Sequence, residues 1–359
     1  MKVAILGTGN IALANAALLA DAGHEVTLWS PSGKGTAALG ESFTLAFSGA
    51  ATGQATAHAA RDIASAMSDA AVVVIAVPAY GHAAVMDACA PHLTAGQMVF
   101  VMPMLSLTAL YLARLLHARQ VEVPIVSFGT TVMTARRSGP AEVRVLSVRS
   151  RIDLAALPVR HTDDAMRIAT MLYGERFNAQ TDTLAIAMVN VNPVSHVPLA
   201  LANLTRIEQG EAWTQYDHMT GAVAKMIVAV DHERLAVAAA FGLEVRSIEE
   251  HFHHSFGVPM ADLGTQALAV HTGVGSPHGP VSLESRYFTE DVPYGLAFYA
   301  AMGRTVGIKT PCNDACVALA SAACGRRFAV ENEIVGALGL DRLPGPELLA
   351  LARDGYRWN

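Results

Sequence analysis

The sequence predicts an α/β fold: an N-terminal Rossmann-type doubly wound sheet over residues 1–182, then a mostly α-helical domain over 183–359. Three observations predict it. A G-x-G-x-x-A spacing follows an apolar strand at the N-terminus, short strand-like runs alternate with helical stretches, and the period turns helical from about residue 184. At 359 residues the chain exceeds the usual limit of one hydrophobic core, so two domains are expected.

The first element is a buried parallel strand over Val3–Leu6, followed by Gly7, Gly9 and Ala12. Gly7 permits the tight turn, Gly9 lets a pyrophosphate approach the backbone, and Ala12 lets the next helix pack closely on the strand. Asn10, Ile11 and Ala12 open that helix, whose unbonded N–H groups and positive dipole end suit phosphates. Gly23 ends the helix and "EVTLW" (25–29) resumes the sheet.

The end of this second strand distinguishes the two nicotinamide dinucleotides. NAD binders place a carboxylate there for the ribose 2′-hydroxyl. Here Trp29 and Ser30 lead into "PSGKGT", and no carboxylate occurs before Glu41. Ser30, Ser32 and Lys34 suit a 2′-phosphate, so NADP is favoured and NAD remains possible.

Further strands are expected at 43–47, 71–78, 98–102 and 123–129, with helices at 80–93 and 106–119. "VPAYGH" (77–82) follows a strand's C-terminal end, which makes Val77 and Pro78 candidates for the nicotinamide floor. Partial alternation over 141–158 suggests added antiparallel strands.

Beyond residue 184, one helical stretch is expected to run to Gly210, a natural C-cap, and another over 219–243 with a charged patch at Asp231, Glu233 and Arg234. More helix is expected at 247–256, 293–307, 312–324 and 331–338. A Rossmann sheet followed by such a domain places an active site in the intervening cleft.

Composition excludes several classes. Hydrophobic residues make up 52% and charged residues 16%, which describes a well-buried chain rather than a disordered one. The net charge of −6, without basic runs, argues against nucleic acid. The longest strongly apolar run, "AAVVVIAVPA" (70–79), falls short of the roughly 20 residues a membrane span needs, so no membrane association is expected. With no secretion signal either, a cytoplasmic location is the expectation. Cys89, Cys312, Cys316 and Cys324 read as buried reduced thiols. "HFHH" (251–254) sets His251 and His254 three apart beside Glu249 and Glu250, but without clear ligand geometry, so no metal is expected. The apolar balance is compatible with a homodimer.

"NVNPVSHVPLALAN" (190–203) and "GPVSLESRYFTEDVPYGLAFYAAMGRTVGIKTP" (279–311), together with "ARRSGPAEV" (135–143) and the N-terminal fingerprint, resemble the opine dehydrogenases, the octopine, nopaline and related N-(carboxyalkyl) amino acid dehydrogenases. The resemblance implies condensation of an amino acid's amine with an α-keto acid such as pyruvate, and reduction of the imine by NAD(P)H. By matching motifs it implies that His196 is the catalytic histidine, Asp291 its carboxylate partner and Arg286 a substrate-binding arginine. The residue types suit those tasks. An imidazole both takes and gives protons near neutrality, a carboxylate fixes its tautomer, and a guanidinium grips a carboxylate with two parallel hydrogen bonds.

Each residue has a plainer reading. His196 alone suits a structural histidine, Asp291 a helix N-cap beside Pro293, and Arg286 a surface ion pair. Asn192, one helical turn before His196, suits either substrate binding or a cap, and Arg136 a phosphate or carboxylate. Where the family carries a Gly-rich loop, this chain has "PMLSLTAL" (103–110), which leaves the amino acid open. The competing functions are a keto-acid or 2-hydroxy-acid reductase of the same plan, whose acid/base would be Lys225, and a non-catalytic NADP sensor.

Overall fold

Val3 to Leu6 lose almost all solvent exposure at the centre of a large sheet. The computed structural model describes residues Met1–Tyr356, and its contacts divide the chain into two units: Met1–Ala187 with the segment from Ala350, and Met188–Leu349.

The first unit carries β1 (Lys2–Leu6), β2 (Glu25–Trp29), β3 (Ser42–Gly49), β4 (Gly53–Ala59), β5 (Val72–Ile75), β6 (Met98–Val101), β7 (Ile125–Phe128), β8 (Met133–Gly139), β9 (Glu142–Val148), β10 (Ile152–Leu157) and β11 (Phe177–Ala179). They form one sheet in the order β11-β10-β7-β6-β5-β1-β2-β4-β3-β9-β8. From β7 to β4 every pairing is parallel, with Val3 opposite both Val26 and Val72. β5, β6 and β7 are buried throughout, which is why they read as unbroken apolar runs. β1 lies between β2 and β5, where strand order reverses and such sheets bind ligands.

The outer strands depart from a parallel plan. β10 pairs antiparallel with β7, and β3–β4 and β8–β9 are antiparallel hairpins. The 141–158 stretch thus supplies β9 and β10, while β4 and β8 were not expected, since small and polar residues fill them.

The helices that belong with this sheet are α1 (Asn10–Asp21), α2 (Lys34–Ala37), α3 (Ile63–Met67), α4 (His82–Cys89), α5 (Thr108–Ala118), α6 (Thr162–Tyr173) and α7 (Thr183–Met188), among the described residues up to the unit boundary. α1 buries Ala12, Leu13, Ala16, Ala17 and Leu19, and truncating either leucine to alanine costs about 2–5 kcal/mol. Its buried Asn15 accepts a hydrogen bond from the Tyr173 hydroxyl on α6 at 2.7 Å.

The second unit is helical: α8 (Asn192–Ala202), α9 (Leu204–Glu208), α10 (Gly221–Ala240), α11 (Ile248–Phe256), α12 (Leu263–Val274), α13 (Arg286–Thr289), α14 (Ala297–Val306), α15 (Pro311–Cys324), α16 (Glu333–Leu338) and the start of α17 (Gly345–Asp354). α10 packs against α8, α12, α14 and α15. Its charged patch is internal. Arg234 and Asp231 are fully buried as a pair at 2.7 Å, and Glu233 accepts from the Cys312 and Asn313 amides at 2.7 and 2.8 Å, capping α15.

The structure differs from the sequence expectations at three points. The stretch from 184 to 210 is three helices, interrupted at residues 189–191 and 203. Contacts part at Ala187/Met188, not 182/183, and the segment from Ala350 belongs to the first unit, because the Thr183 hydroxyl donates to the Ala352 carbonyl at 2.7 Å and Tyr356 lies against His117. Thr183–Ala202 is also long and apolar enough by composition to cross a membrane, against the sequence expectation. Its apolar window is 72% buried in the protein, as suits a core segment.

Candidate active site

α8 begins at Asn192 with Pro193 in its first turn, where a missing N–H costs nothing. One turn on, His196 projects from the same face as Asn192. Its Nδ1 lies 2.8 Å from Oδ2 of Asp291, ninety-five positions later. Asp291 is 1% exposed and stands immediately before a π-helical turn, Val292–Leu296. Such turns recur at functional sites because the extra residue re-aims a side chain. Its carboxylate caps no helix; it is committed to His196.

That contact fixes the tautomer: Nδ1–H donates to the carboxylate and Nε2 is left as a base, with no protein partner for Nε2 among the described residues. Burial pulls the imidazole below its ordinary titration range. The charge and hydrogen bond of Asp291 oppose that pull, and nearby Arg286 adds to it. The ring is therefore neutral at pH 7 but has an anion in place to receive a proton.

Arg286 starts α13 with Nε 3.7 Å from Glu290 and a terminal nitrogen 3.9 Å from Asp291. Both distances are loose and the side chain is 53% exposed, so donors remain for an incoming carboxylate. Asn192 is half-buried, and its amide N–H donates to Asn190 Oδ1 at 3.0 Å. Next to Arg286, Tyr287 stacks on His196 with centroids 3.9 Å apart and planes 7° apart. Sequence reasoning missed Tyr287. Its only signal was its place in "SRYF".

In the first unit, the fingerprint takes the shape that its spacing predicts. Gly7 has φ +138°, and a Cβ there would sit 2.5 Å from the Ala76 carbonyl oxygen, so only glycine fits. A Cβ at Gly9 would meet nothing within 4 Å, which leaves an open cradle above the loop. The first turn of α1 carries no acid, and the Gly9 carbonyl takes its first helical bond from Leu13, so the Asn10, Ile11 and Ala12 amides have no helical acceptor. These features fit a dinucleotide pyrophosphate.

Ser30 is buried at the end of β2, its Oγ 3.4 Å from Ser32 Oγ, while Ser32 and Lys34 are exposed. This loop lies against the fingerprint: a Cβ at Gly35 would overlap Thr8 Oγ1 and approach Ser30 Oγ to 3.2 Å. Val77 is half-buried beside Gly7, and Pro78 is exposed.

Two further residues brace this region. His82 is completely buried, with Nε2 3.1 Å from the Val77 carbonyl and Nδ1 3.1 Å from the Thr108 hydroxyl. A carbonyl only accepts, so Nε2 carries the proton and Nδ1 accepts from Thr108. Burial pushes His82 down to about 4. Just before Thr108, Ser106 and Leu107 take φ +52° and +58°, the left-handed region that a Gly-rich loop would supply.

Arg136 is exposed, its guanidinium bonded to the adjacent Ala135 carbonyl at 3.3 Å. Its neighbour Arg137, on the other face of β8, meets the fingerprint. Its backbone N–H donates to Asn10 Oδ1 at 2.9 Å and its guanidinium to the Thr8 carbonyl at 3.3 Å, with further bonds to the Gly139 and Pro140 carbonyls at 2.8 Å each. The sequence singled out Arg136; the arginine that bonds the fingerprint loop is Arg137.

Lys225 lies on the exposed side of α10, away from the buried stripe of Ala224, Ile227, Val230 and Asp231. Glu250 completes a capping box with Ser247 at the start of α11. His253 bonds the Val258 carbonyl at 2.6 Å. Among the described residues, no group of three or more His, Cys, Asp or Glu is arranged to hold a metal ion. All four cysteines are unpaired. Cys89 and Cys316 are buried as expected, whereas Cys312 and Cys324 are only half-buried, being placed near the two ends of α15.

Residues 179–324 match the NAD/NADP octopine/nopaline dehydrogenase α-helical domain, and residues 2–104 match the NAD-dependent glycerol-3-phosphate dehydrogenase N-terminus. The chain is 32% identical over 350 residues to opine dehydrogenase of Arthrobacter sp. (strain 1C), covering 95% of each. It superposes on an octopine dehydrogenase solved with NADH and L-arginine with a TM-score of 0.79 at 21% identity, covering 100% of this chain and 99% of that one. NADP+-bound yersinopine dehydrogenase gives a TM-score of 0.72 at 17% identity, covering 98% and 97%.

Proposed function

The chain belongs to the opine dehydrogenase family, and from that premise we propose that it is an NADP(H)-dependent enzyme that condenses an amino acid with an α-keto acid such as pyruvate, reduces the product, and runs the reverse oxidation. The observation that carries the reading is the 2.8 Å contact between His196 and the buried Asp291, beside the half-exposed Arg286.

In the condensing direction, neutral His196 takes a proton at Nε2 from the substrate ammonium, freeing the nitrogen lone pair to attack the keto carbon. Asp291, held on Nδ1, stabilises the imidazolium that forms. The adduct's oxygen takes the extra proton of the attacking nitrogen, and Nε2 then returns its own proton to the resulting hydroxyl, which departs as water and leaves a protonated imine. Arg286 holds the keto acid by its carboxylate, and Asn192 contributes a polar contact from the same helix face as His196. The cofactor, when bound, would supply the hydride for the C=N carbon.

Gly7, Gly9, Asn10, Ile11 and Ala12 would hold the pyrophosphate, and Val77 and Pro78 would line the nicotinamide side of the site. Ser30, Ser32, Lys34 and Arg137 favour the 2′-phosphate, because no carboxylate ends β2. Four unpaired thiols suit a reducing cytoplasm.

The test is NADPH consumption with pyruvate, with and without a pool of amino acids, for wild type and His196→Ala. Turnover that needs the amine and disappears in the variant supports the reading. Turnover with keto acid alone, or an active variant, overturns it. NADH in place of NADPH tests the cofactor preference.

A further inference from the structure

We propose that Tyr287 is a positioning residue for His196, a phenol plate that holds the imidazole in one plane and stabilises it while it carries a proton. This rests on the acid/base reading of His196 given above. Asp291 restrains the imidazole at one atom, Nδ1, and a single hydrogen bond leaves the ring free to rock about that contact. The Tyr287 ring removes this freedom. It covers one face of the imidazole at 3.9 Å, only 7° from parallel, and shuts water off from that face. The electron-rich phenol face also attracts the ring more strongly once it is protonated.

The plate is itself fixed. Tyr287 is 9% exposed, and the Gln215 side-chain amide lies beside its hydroxyl. The Gln215 side-chain N–H donates to the His278 carbonyl at 3.0 Å, and its backbone N–H to the Pro277 carbonyl at 3.0 Å. Two residues before Gln215, Trp213 lies on Gly279 so closely that a Cβ there would meet the indole at 2.2 Å, and its Nε1–H donates to the Pro280 carbonyl at 2.9 Å. The segment 213–215, bound to 277–280, therefore anchors Tyr287, which in turn steadies His196.

Other charges do not account for this role. The groups acting electrostatically on the imidazole are Asp291 and Arg286, and Glu290 is paired with Arg286. Among the elements packed on α8, α10 carries Asp231 and Arg234, which pair with each other, Glu233, which holds the start of α15, and exposed Lys225 and His232. α9 carries Arg206, paired with Glu211, and an exposed Glu208, and α15 an exposed Asp314. α8 itself has no charged residue.

The test is to follow the His196 titration by NMR in folded, full-length protein, alongside the pH profile of kcat, for wild type, Tyr287→Phe and Tyr287→Leu, with His196→Asn to assign the signal. Tyr287→Phe keeps the plate and should hold the titration midpoint and keep kcat within about threefold of wild type. Tyr287→Leu should shift the midpoint to lower pH by about half a unit and lower kcat about tenfold, with NADPH affinity unchanged. Gln215→Met, which leaves the ring but also loses the side-chain bond to the His278 carbonyl and so loosens the segment beneath it, should give the same shift in smaller measure, and it decides the matter if the leucine variant does not fold. An unchanged midpoint in the leucine variant, or in Gln215→Met if only that variant folds, overturns the proposal. So does equal loss in the phenylalanine and leucine variants. The NMR signal needs no turnover. An active His196→Asn would overturn the acid/base reading while the titration still reports on Tyr287.

Discussion

Gly295 and Pro193 touch where the two halves of the histidine–carboxylate pair meet. A Cβ on Gly295 would lie 2.3 Å from Cγ of the Pro193 ring. Pro193 opens the helix that carries His196, and Gly295 lies in the π-helical turn that follows Asp291, so this contact sets how closely the imidazole and carboxylate approach.

Gly295→Ala must force the two elements apart, because a proline ring has little room to yield. Overpacking of this kind costs about 1–3 kcal/mol. The expected result is a folded protein with lowered Tm, normal NADPH binding and at least a tenfold loss of kcat. Calorimetry and steady-state kinetics check it, and full activity would show that the pair tolerates separation.

Asp291→Asn keeps the shape of the contact but removes the charge that stabilises imidazolium. A loss in kcat of about 10²–10⁴-fold is expected, with the Kd for NADPH unchanged. The pH profile carries a sign. His196 must be neutral to accept a proton, so wild-type kcat/KM falls as pH drops through a midpoint below the ordinary 6.5. Asp291 raises that midpoint, so the variant's acid limb should move lower still.

His82 links stability to pH. Its titration is lowered from 6.5 to about 4 by burial, so between those values the unfolded chain binds a proton that the folded chain refuses. Stability is full above pH 6.5 and is lost as pH falls toward 4, by about 3 kcal/mol for this group. Urea unfolding at a series of pH values should show a shallower acid loss in His82→Gln than in wild type. Parallel curves would place the acid sensitivity elsewhere.

Lys34 and Arg137 should separate by cofactor. Lys34→Ala should weaken NADPH by about five- to thirtyfold and leave NADH nearly unchanged, since an exposed ammonium chiefly serves the extra phosphate. Arg137→Ala should weaken both, because its guanidinium also steadies the Thr8 carbonyl of the fingerprint loop. Fluorescence titration with each cofactor measures this, and equal loss of both in Lys34→Ala would remove the 2′-phosphate role.

How much of this was legible depended on whether the signal was local. β1, α1 and β2 could be read because glycine spacing and apolar runs act within thirty residues. β4 could not, since "GQATAHA" becomes a strand by pairing with β3. His196 and Asp291 are ninety-five positions apart with no periodic relation, so family resemblance suggested their pairing where spacing could not. Tyr287 and Gln215 left almost no trace, because a ring stack between two helices far apart in sequence has no periodic pattern. Arg136 and Arg137 differ only by which face of β8 they occupy, and a strand with two bulges hides its phase.

The return of the segment from Ala350 to the first unit bears on how the protein is made. The nucleotide-binding half appears first at the ribosome, yet Thr183 finds its acceptor only when Ala352 has been synthesised, after the entire helical unit. A nascent chain stopping near residue 187 lacks the acceptor of the Thr183 hydroxyl until the intervening residues have been made. Fusions or deletions at the far C-terminal side therefore act on the half of the protein translated earliest.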